Sequence, residues 1–374
     1  MTVRRRPRRL RVLAEGQLEV IDPGLDVLGL LEAVSPDFRI EHAPLAGFVR
    51  PRLHRTRRVS GGVADSDLAV TADAELWARH AAALSADRFA PPGAGEASLL
   101  DVKRELARRA LASCCLCAHR CGVDRTRGHR GACRLGASAV VGEHFVHIGE
   151  EAPINPSLVI GLAGCGLRCR YCQQGELLDP DAAGGVALAP ALWAELELAG
   201  ARSLSFVGGN PDESLPAIVE FLAASPADWA LPLVWNCHAF STAETLSLLD
   251  GVVDVYVPDF KYGDDACAAR WSAAPGYTTH ARAAIAAMVA QGAVVIVRLL
   301  VLPGHVECCH APALAFLATL PQAGLLVSVR GQYAPDWRIT TRDGAMARRP
   351  TTSEIEAVRE HARSHRLRLV DETT

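Results

Sequence analysis

From residue 157 onward, short apolar runs rich in β-branched residues alternate with segments of helical periodicity. The apolar runs cover residues 158–164, 203–209, 231–236, 253–260, 294–303 and 325–330. The helical segments cover residues 190–201, 213–224, 241–251, 280–292, 311–320 and 351–365. Continuously apolar strands are buried on both faces, which is typical of a parallel sheet. Six strand–helix units therefore predict an α/β fold, a βα barrel or partial barrel, with functional residues at the carboxyl ends of the strands.

The overall composition argues against some classes of binding partner. Of the 374 residues, 49% are hydrophobic and 22% are charged, as in an ordinary globular protein. The formal net charge of −3 gives no general attraction to nucleic acid, and aromatic residues, at 5%, are too few for a surface that stacks on single strands. No run approaches the roughly 18 apolar residues that a membrane helix needs. We therefore expect neither nucleic acid nor a membrane as a partner.

Four regions follow from the pattern along the chain. Residues 1–12 hold six arginines and are expected to be a solvated basic tail, with a nucleic-acid or membrane-surface arm as the alternative. Residues 13–97 carry no motif and form an N-terminal extension that ends in a Pro/Gly-rich linker. Residues 98–150 are predicted to hold an amphipathic helix, over 98–112, and a cysteine-rich knuckle; residues 151–374 form the barrel.

The cysteines indicate metal binding. There are twelve of them: Cys114, Cys115, Cys117, Cys121, Cys133, Cys165, Cys169, Cys172, Cys237, Cys267, Cys308 and Cys309. The N-terminus has no apolar segment or cleavage site of a secretory signal, so we expect a cytoplasmic protein whose thiols are reduced. Eight of the twelve lie between positions 114 and 172. In a reducing compartment, such clustering favours metal ligation over disulfides.

The central motif is Cys165, Cys169 and Cys172, separated by three and then two residues, directly after the first apolar run. Three thiolates on one loop suit a [4Fe–4S] cluster with one iron left open, since a fully closed cluster takes four cysteines. A structural zinc ion is the alternative. Zinc would need a fourth ligand, and no cysteine or histidine follows within the next forty residues.

This loop resembles that of the radical S-adenosylmethionine (SAM) enzymes. Tyr171, before the third cysteine, matches the aromatic residue that is usual there and is placed beside the cofactor. The resemblance implies a [4Fe–4S] cluster whose open iron is chelated by the amino and carboxylate groups of SAM. It also implies that one electron cleaves SAM to methionine and a 5′-deoxyadenosyl radical, which abstracts a hydrogen atom from the substrate.

The next strand end carries a second similarity to this superfamily. Gly208, Gly209 and Asn210 precede a proline and look like the Gly-Gly-Glu-Pro loop that holds the methionine amino group of SAM. Glycines let backbone carbonyls approach an ammonium closely, and an Asn oxygen can accept where Glu would. Asn210 departs from the pattern, because it lacks the negative charge of Glu.

Three later strand ends are similar to those of glycyl-radical activating enzymes. Asp259 and Lys261 resemble an Asp-x-Lys motif near SAM, in which the acid accepts hydrogen bonds and the lysine meets a carboxylate; a solvated ion pair is the alternative. Arg298 lies within an apolar run, and the resemblance implies that it faces the lumen and meets the SAM carboxylate. Asn236 matches a position that carries Asp or Asn near SAM.

The strongest likeness is to a branch of uncharacterised pyruvate formate-lyase activating enzyme-like proteins. It covers roughly residues 110–340 and includes a run like His147-x-Gly149-Glu150-Glu151, a PDFKY run at 258–262 and a GQYAP run at 331–335. The resemblance implies an electron donor such as flavodoxin or ferredoxin. It says nothing about residues 1–95.

A second metal site is predicted upstream of the barrel. Cys114, Cys117, Cys121 and Cys133 lie within twenty residues, among several turn-forming glycines. They form either a structural zinc site or an auxiliary iron–sulfur cluster, which the spacing does not separate. We favour zinc, because the knuckle is expected to be a separate cap before the barrel.

Cys237 ends the third apolar run, next to Asn236 and His238. At this position the activating enzymes usually carry Thr or Ser. Radical SAM epimerases use a cysteine thiol to return a hydrogen atom to the substrate radical, so Cys237 is a candidate catalytic donor. The alternative is a small, buried apolar cysteine.

Taken together, these features predict a radical SAM enzyme that modifies an unknown small molecule or peptide, for example by epimerisation. One alternative is an activating enzyme that generates a glycyl radical on a partner protein. From another class, a zinc-binding scaffold without catalysis is a further alternative.

Overall fold

The computed structural model describes residues 10–12, 18–20, 51–85, 91–196 and 200–370. Residues 1–9 of the predicted basic tail, residues 13–17, 21–50 and 86–90 of the predicted extension with its linker, and residues 197–199 of the predicted segment 190–201 lie outside these ranges. In the parts of the chain that are described, no helix is long and apolar enough to cross a membrane.

The described residues of the N-terminal part form short antiparallel strand pairs and three α-helices. β1 (Leu10–Val12) pairs with β2 (Leu18–Val20). Helix α1 (Arg52–Arg58), β3 (Ser60–Ala64), α2 (Asp73–Ser85), β4 (Glu96–Ser98) and α3 (Leu99–Arg109) follow, and β3 pairs with β4. Ser98 and Asp101 form a reciprocal capping box at the start of α3. Helix α3 is the amphipathic helix predicted over residues 98–112.

The main sheet has eight strands. They are β5 (Val140–His147), β6 (Ser157–Leu162), β7 (Val186–Ala187), β8 (Ser203–Gly208), β9 (Leu233–Cys237), β10 (Val255–Pro258), β11 (Val294–Leu300) and β12 (Leu325–Arg330). Their order is β12-β11-β10-β9-β8-β6-β5-β7. The strands from β6 to β12, apart from β7, pair in parallel with their neighbours. The predicted mixed α/β fold with a parallel sheet is thereby confirmed, whereas β5 and β7 add an antiparallel edge.

The helices between these strands follow the predicted segments with two differences. They are α4 (Leu215–Ala223), α5 (Ala243–Leu249), α6 (Asp265–Ser272), α7 (Tyr277–Ala290), α8 (Ala311–Leu317) and α9 (Thr352–Ser364). Helix α6 was not predicted. In the predicted segment 190–201, the described residues form only a 3-10 turn, Pro190–Ala194.

The two faces of the parallel sheet bury different residues. One face, which we call the helix-covered face, places Trp235 and Tyr256 in a core shared with residues of α5, α7 and α9. The opposite face carries a smaller apolar cluster that includes Val234, Val257 and Ile296. Because side chains alternate along a strand, Asn236 and Arg298 belong to this opposite face.

Candidate functional site

The three-cysteine loop leaves the carboxyl end of β6. Cys165 is buried, and Cys169 and Cys172 are half-buried. The end of α6 holds the loop, since the backbone N–H groups of Arg168 and Arg170 donate to the carbonyls of Ser272 (2.9 Å) and Trp271 (2.8 Å). A helix that the sequence did not predict therefore fixes the backbone of the predicted motif.

Burial keeps these thiols protonated in the absence of a cation. It raises the pKa of Cys172 to about 11 and the pKa of Cys165 well above its ordinary value. Burial also raises the pKa of Cys169, against the opposing effect of the nearby Lys261 ammonium. Because only the thiolate ligates metal, a bound cation would have to draw the protons off all three sulfurs.

A chain of hydroxyl groups leads to Cys169. Tyr171 Oη and Tyr262 Oη are 2.7 Å apart, and Tyr262 Oη is 2.6 Å from Ser272 Oγ. Ser272 Oγ in turn donates to Cys169 Sγ at 2.9 Å. Tyr171 is buried at 5% exposure. These hydrogen bonds orient the Cys169 side chain, in the way that groups hydrogen-bonded to metal ligands orient those ligands.

The glycine turn after β8 lies directly against the strand that leads into the cysteine loop. Gly209 N donates to Leu162 O at 2.6 Å, and Asn210 N donates to Gly164 O at 3.0 Å. Gly208 has φ +106°, a backbone conformation that favours glycine. The structure thus brings two motifs together that are more than forty positions apart in the sequence.

We expect Gly209→Ala to destabilise the chain by about 1–3 kcal/mol, because a Cβ here would overlap the Gly164 carbonyl oxygen. Urea denaturation followed by circular dichroism measures the difference. Gly136→Ala is the matched control, since a Cβ at Gly136 meets nothing within 4 Å. Equal stability of the two variants would contradict the close approach.

The side chain of Asn210 makes its hydrogen bonds to other residues of the chain. It is 2% exposed, its Nδ2 donates to Glu213 Oε2 at 2.5 Å, and its Oδ1 accepts from His238 N at 3.1 Å. Glu213 Oε1 accepts from Gly166 N at 2.8 Å, within the cysteine loop. Asn210 therefore holds the loop through Glu213, and its amide is not directed at a ligand as the sequence predicted.

Glu213 is a site residue that the sequence analysis missed. It is 1% exposed, and its Oε1 lies 3.6 Å from His238 Nε2. Burial alone would raise the pKa of Glu213, but the nearby His238 imidazole and the hydrogen bond from Asn210 hold it below its ordinary value. The available signal was an acidic residue two positions after the Gly-Gly-Asn-Pro turn, in a segment otherwise rich in apolar residues.

Asp259 and Lys261 form the predicted pair at the end of β10. Lys261 Nζ donates to Asp259 Oδ2 at 2.6 Å, and both side chains are partly exposed. Burial alone would lower the pKa of Lys261, but the Asp259 carboxylate holds it above its ordinary value. Tyr277 Oη fixes the turn by donating to Asp259 O and accepting from Lys261 N. A fixed cation therefore lies beside the cysteine loop.

Comparison with known proteins gives a relative but no family model, since none matches the chain. The uncharacterized protein MJ0674 of Methanocaldococcus jannaschii is 33% identical over 282 residues, covering 73% of this chain and 81% of the relative. The chain belongs to the MJ0674 family. The aligned region includes most of the described residues. The name of the relative states no activity.

In this member of the MJ0674 family, Arg298 pairs with carboxylates of the chain and not with a SAM carboxylate, as the sequence predicted it would. Its guanidinium donates to Glu150 (2.9 Å) and to both oxygens of Glu151 (3.0 and 2.7 Å). Arg330 also pairs with Glu151 at 3.0 Å. Burial alone would raise the pKa of Glu151, but the two guanidinium groups hold it far below its ordinary value. The carboxylates that neutralise Arg298 thus come from the chain itself.

Asn236 and Cys237 lie on opposite faces of β9. Asn236 is half-buried on the face of Val234, whereas Cys237 is 3% exposed in the core shared with the helices. Cys237 therefore does not share a pocket with Asn236, the residue predicted to lie near SAM, because adjacent strand residues point in opposite directions. The structure favours the alternative, a small buried cysteine.

The knuckle of this MJ0674-family chain packs on the cysteine loop and is not a separate cap. His119 Nε2 donates to Gly166 O at 2.8 Å, and Ala118 N donates to Phe240 O at 2.9 Å. Arg125, 1% exposed, joins the knuckle to the turn before α4 by donating to Glu213 O at 2.7 Å. The two cysteine clusters are therefore neighbours.

The knuckle sulfurs are not arranged around a single ion. Cys114, Cys117 and Cys133 are buried and Cys121 is exposed. A zinc ion with Zn–S bonds of about 2.3 Å holds sulfurs about 3.8 Å apart. Within the described residues, no three sulfurs of the knuckle all lie within 4.8 Å of one another. The reason for favouring zinc was a knuckle separate from the barrel, which does not hold because the knuckle packs on the cysteine loop. The choice between zinc and an auxiliary cluster therefore stays open.

Proposed function

We propose that this chain is a radical SAM enzyme and that its six parallel strands are the partial barrel of that superfamily. The observation that carries the proposal is the three-cysteine loop at the carboxyl end of β6, in contact with the glycine turn after β8. The Asp259–Lys261 pair after β10 adds a third polar group at the same edge. Catalytic groups collect at this edge in βα folds.

The residues of the loop fit a [4Fe–4S] cluster. Soft thiol ligands are what such clusters take, and three of them leave one iron free for a small ligand. Within the described residues, the three sulfurs do not all lie within 4.8 Å of one another, which is too open for one shared ion. When bound, a cluster of this kind supplies the electron that cleaves SAM and so starts hydrogen abstraction from a substrate.

The chain's own residues would bind and orient SAM. Gly208 and Gly209 offer backbone close to Cys165, and Asn236 lies at the carboxyl end of β9 on the face opposite the helices. Lys261 supplies a positive charge for a carboxylate, held in place by Asp259. Asn210 and Arg298 act as supports, through Glu213 and through Glu150 and Glu151, and do not contact SAM.

The test is anaerobic purification and reconstitution, followed by reduction in the presence of SAM. We expect about four irons and four sulfides per cluster, and release of 5′-deoxyadenosine and methionine. Dithionite replaces the natural donor, which we propose is a flavodoxin or ferredoxin. A chain that binds zinc but no iron, or that binds iron and releases no 5′-deoxyadenosine, would overturn the proposal.

A further inference from the structure

A third group of metal-ligating side chains lies apart from both cysteine clusters of the sequence. It consists of Cys267 in α6, and His305 and Cys308 in the turn after β11. One ligand atom from each lies within 4.8 Å of the other two, and each side chain is partly exposed. Within the described part of the chain, no other such group of His, Cys, Asp and Glu residues has this arrangement.

The sulfur spacing matches a shared metal ion. Cys267 Sγ and Cys308 Sγ are 3.9 Å apart. Two thiolates on one zinc ion, with Zn–S bonds of about 2.3 Å and a tetrahedral angle, lie about 3.8 Å apart. The neighbouring Cys309 is fully buried in the core; its Sγ lies 3.7 Å from Cys308 Sγ but is not one of the three mutually close ligand atoms.

His305 has the tautomer that a metal ligand needs. Its Nδ1 is 2.9 Å from Pro303 O, and a carbonyl can only accept, so Nδ1 carries the proton. Nε2 therefore carries the lone pair, which accepts the Trp271 indole N–H at 3.2 Å in the metal-free chain. A metal ion would take the place of that N–H. A backbone carbonyl on the far nitrogen is the usual partner of a ligating histidine.

We propose that Cys267, His305 and Cys308 bind a Zn²⁺ ion, with its fourth position left to water. Mixed thiolate and imidazole donors in a tetrahedral arrangement favour zinc among the common divalent metals. The ion would join α6 to the turn after β11. Because Trp271 and Ser272 of α6 hold the three-cysteine loop, the ion would also brace that loop from outside.

The experiment counts zinc per chain by mass spectrometry of the metal, without iron reconstitution. The protein is purified with a phosphine reductant, incubated with zinc and desalted. We compare the wild type with Cys308→Ser, which exchanges an exposed thiol for a hydroxyl of similar size. Cys115→Ser is the matched control, a cysteine outside all three groups. We expect Cys308→Ser to hold one zinc ion fewer per chain than the wild type and the control.

Cobalt substitution supplies a second readout. Tetrahedral Co²⁺ bound to thiolates gives a charge-transfer band and intense visible bands, which should weaken by one site in Cys308→Ser and in His305→Ala. Equal zinc content in the wild type and Cys308→Ser, with unchanged cobalt spectra, would overturn the proposal. So would a disulfide between Cys267 and Cys308 in the purified wild type that excludes the metal.

Discussion

Under the proposed function, Cys169→Ser is expected to lose the iron–sulfur cluster and with it the formation of 5′-deoxyadenosine. Changing a partner of a metal ligand already lowers metal affinity or activity by about 10–100-fold, so losing the ligand itself should lower the rate of SAM cleavage by more than about 100-fold. Iron and sulfide content, the visible absorption of the cluster and chromatography of 5′-deoxyadenosine measure the effect.

Ser272→Ala provides a milder change at the same cysteine, with which the effect of Cys169→Ser can be compared. It removes the hydroxyl that donates to Cys169 Sγ at 2.9 Å and leaves all three thiols in place. We expect a reduction of about 10–100-fold in cluster affinity or in SAM cleavage, smaller than that of Cys169→Ser. Cys115→Ser should behave as the wild type. If Cys169→Ser retained a full cluster and normal cleavage, the assignment of the loop would fail.

Glu151→Ala should produce the largest loss of stability. Glu151 is 2% exposed and is paired with both Arg298 and Arg330. Removing one partner of a buried ion pair leaves an uncompensated charge, which costs about 3–5 kcal/mol of unfolding free energy. Urea denaturation at pH 7 measures the loss. Glu356→Ala is the control, since Glu356 makes only exposed ion pairs on α9 and should leave the stability unchanged.

The pH dependence of this difference has a defined sign. The pKa of Glu151 is lowered in the folded chain, so its contribution is fully present above the ordinary glutamate pKa and is lost as the pH falls through the folded pKa. The wild type and Glu151→Ala should therefore converge in stability under acidic conditions. A difference that stayed constant into strong acid would show that Glu151 stabilises the chain in another way.

The continuous apolar runs of the sequence predict the six parallel strands because a strand buried on both faces has little room for polar residues. The same patterning could not reveal α6, in which Asp265, Arg270 and several alanines produce no clear apolar stripe. It could not reveal β5 either, whose residues are mostly half-buried at the antiparallel edge. These two elements contact the site through residues that are distant in the sequence, and local hydrophobic periodicity does not predict such contacts.

The site residues divide in the same way. The cysteine loop, the Gly-Gly turn and the Asp259–Lys261 pair are local motifs, and the structure holds them at one edge of the sheet. The partners of Arg298 come from a position nearly 150 residues earlier, so the sequence showed a charge in need of a partner but not which one. Cys237 could have been corrected from the sequence, since residues 236 and 237 of one strand cannot face the same side.

The cysteine loop is held on one side by α6 and on the other by His119 of the knuckle. Its backbone is thus fixed by contacts within the polypeptide, without the proposed cluster. Conformational entropy that a free loop would lose on capturing a cluster has already been lost during folding. The proposed cluster would then bind to a loop that already has its binding conformation. After loss of the cluster to oxygen, the chain would keep its fold and could bind a new cluster.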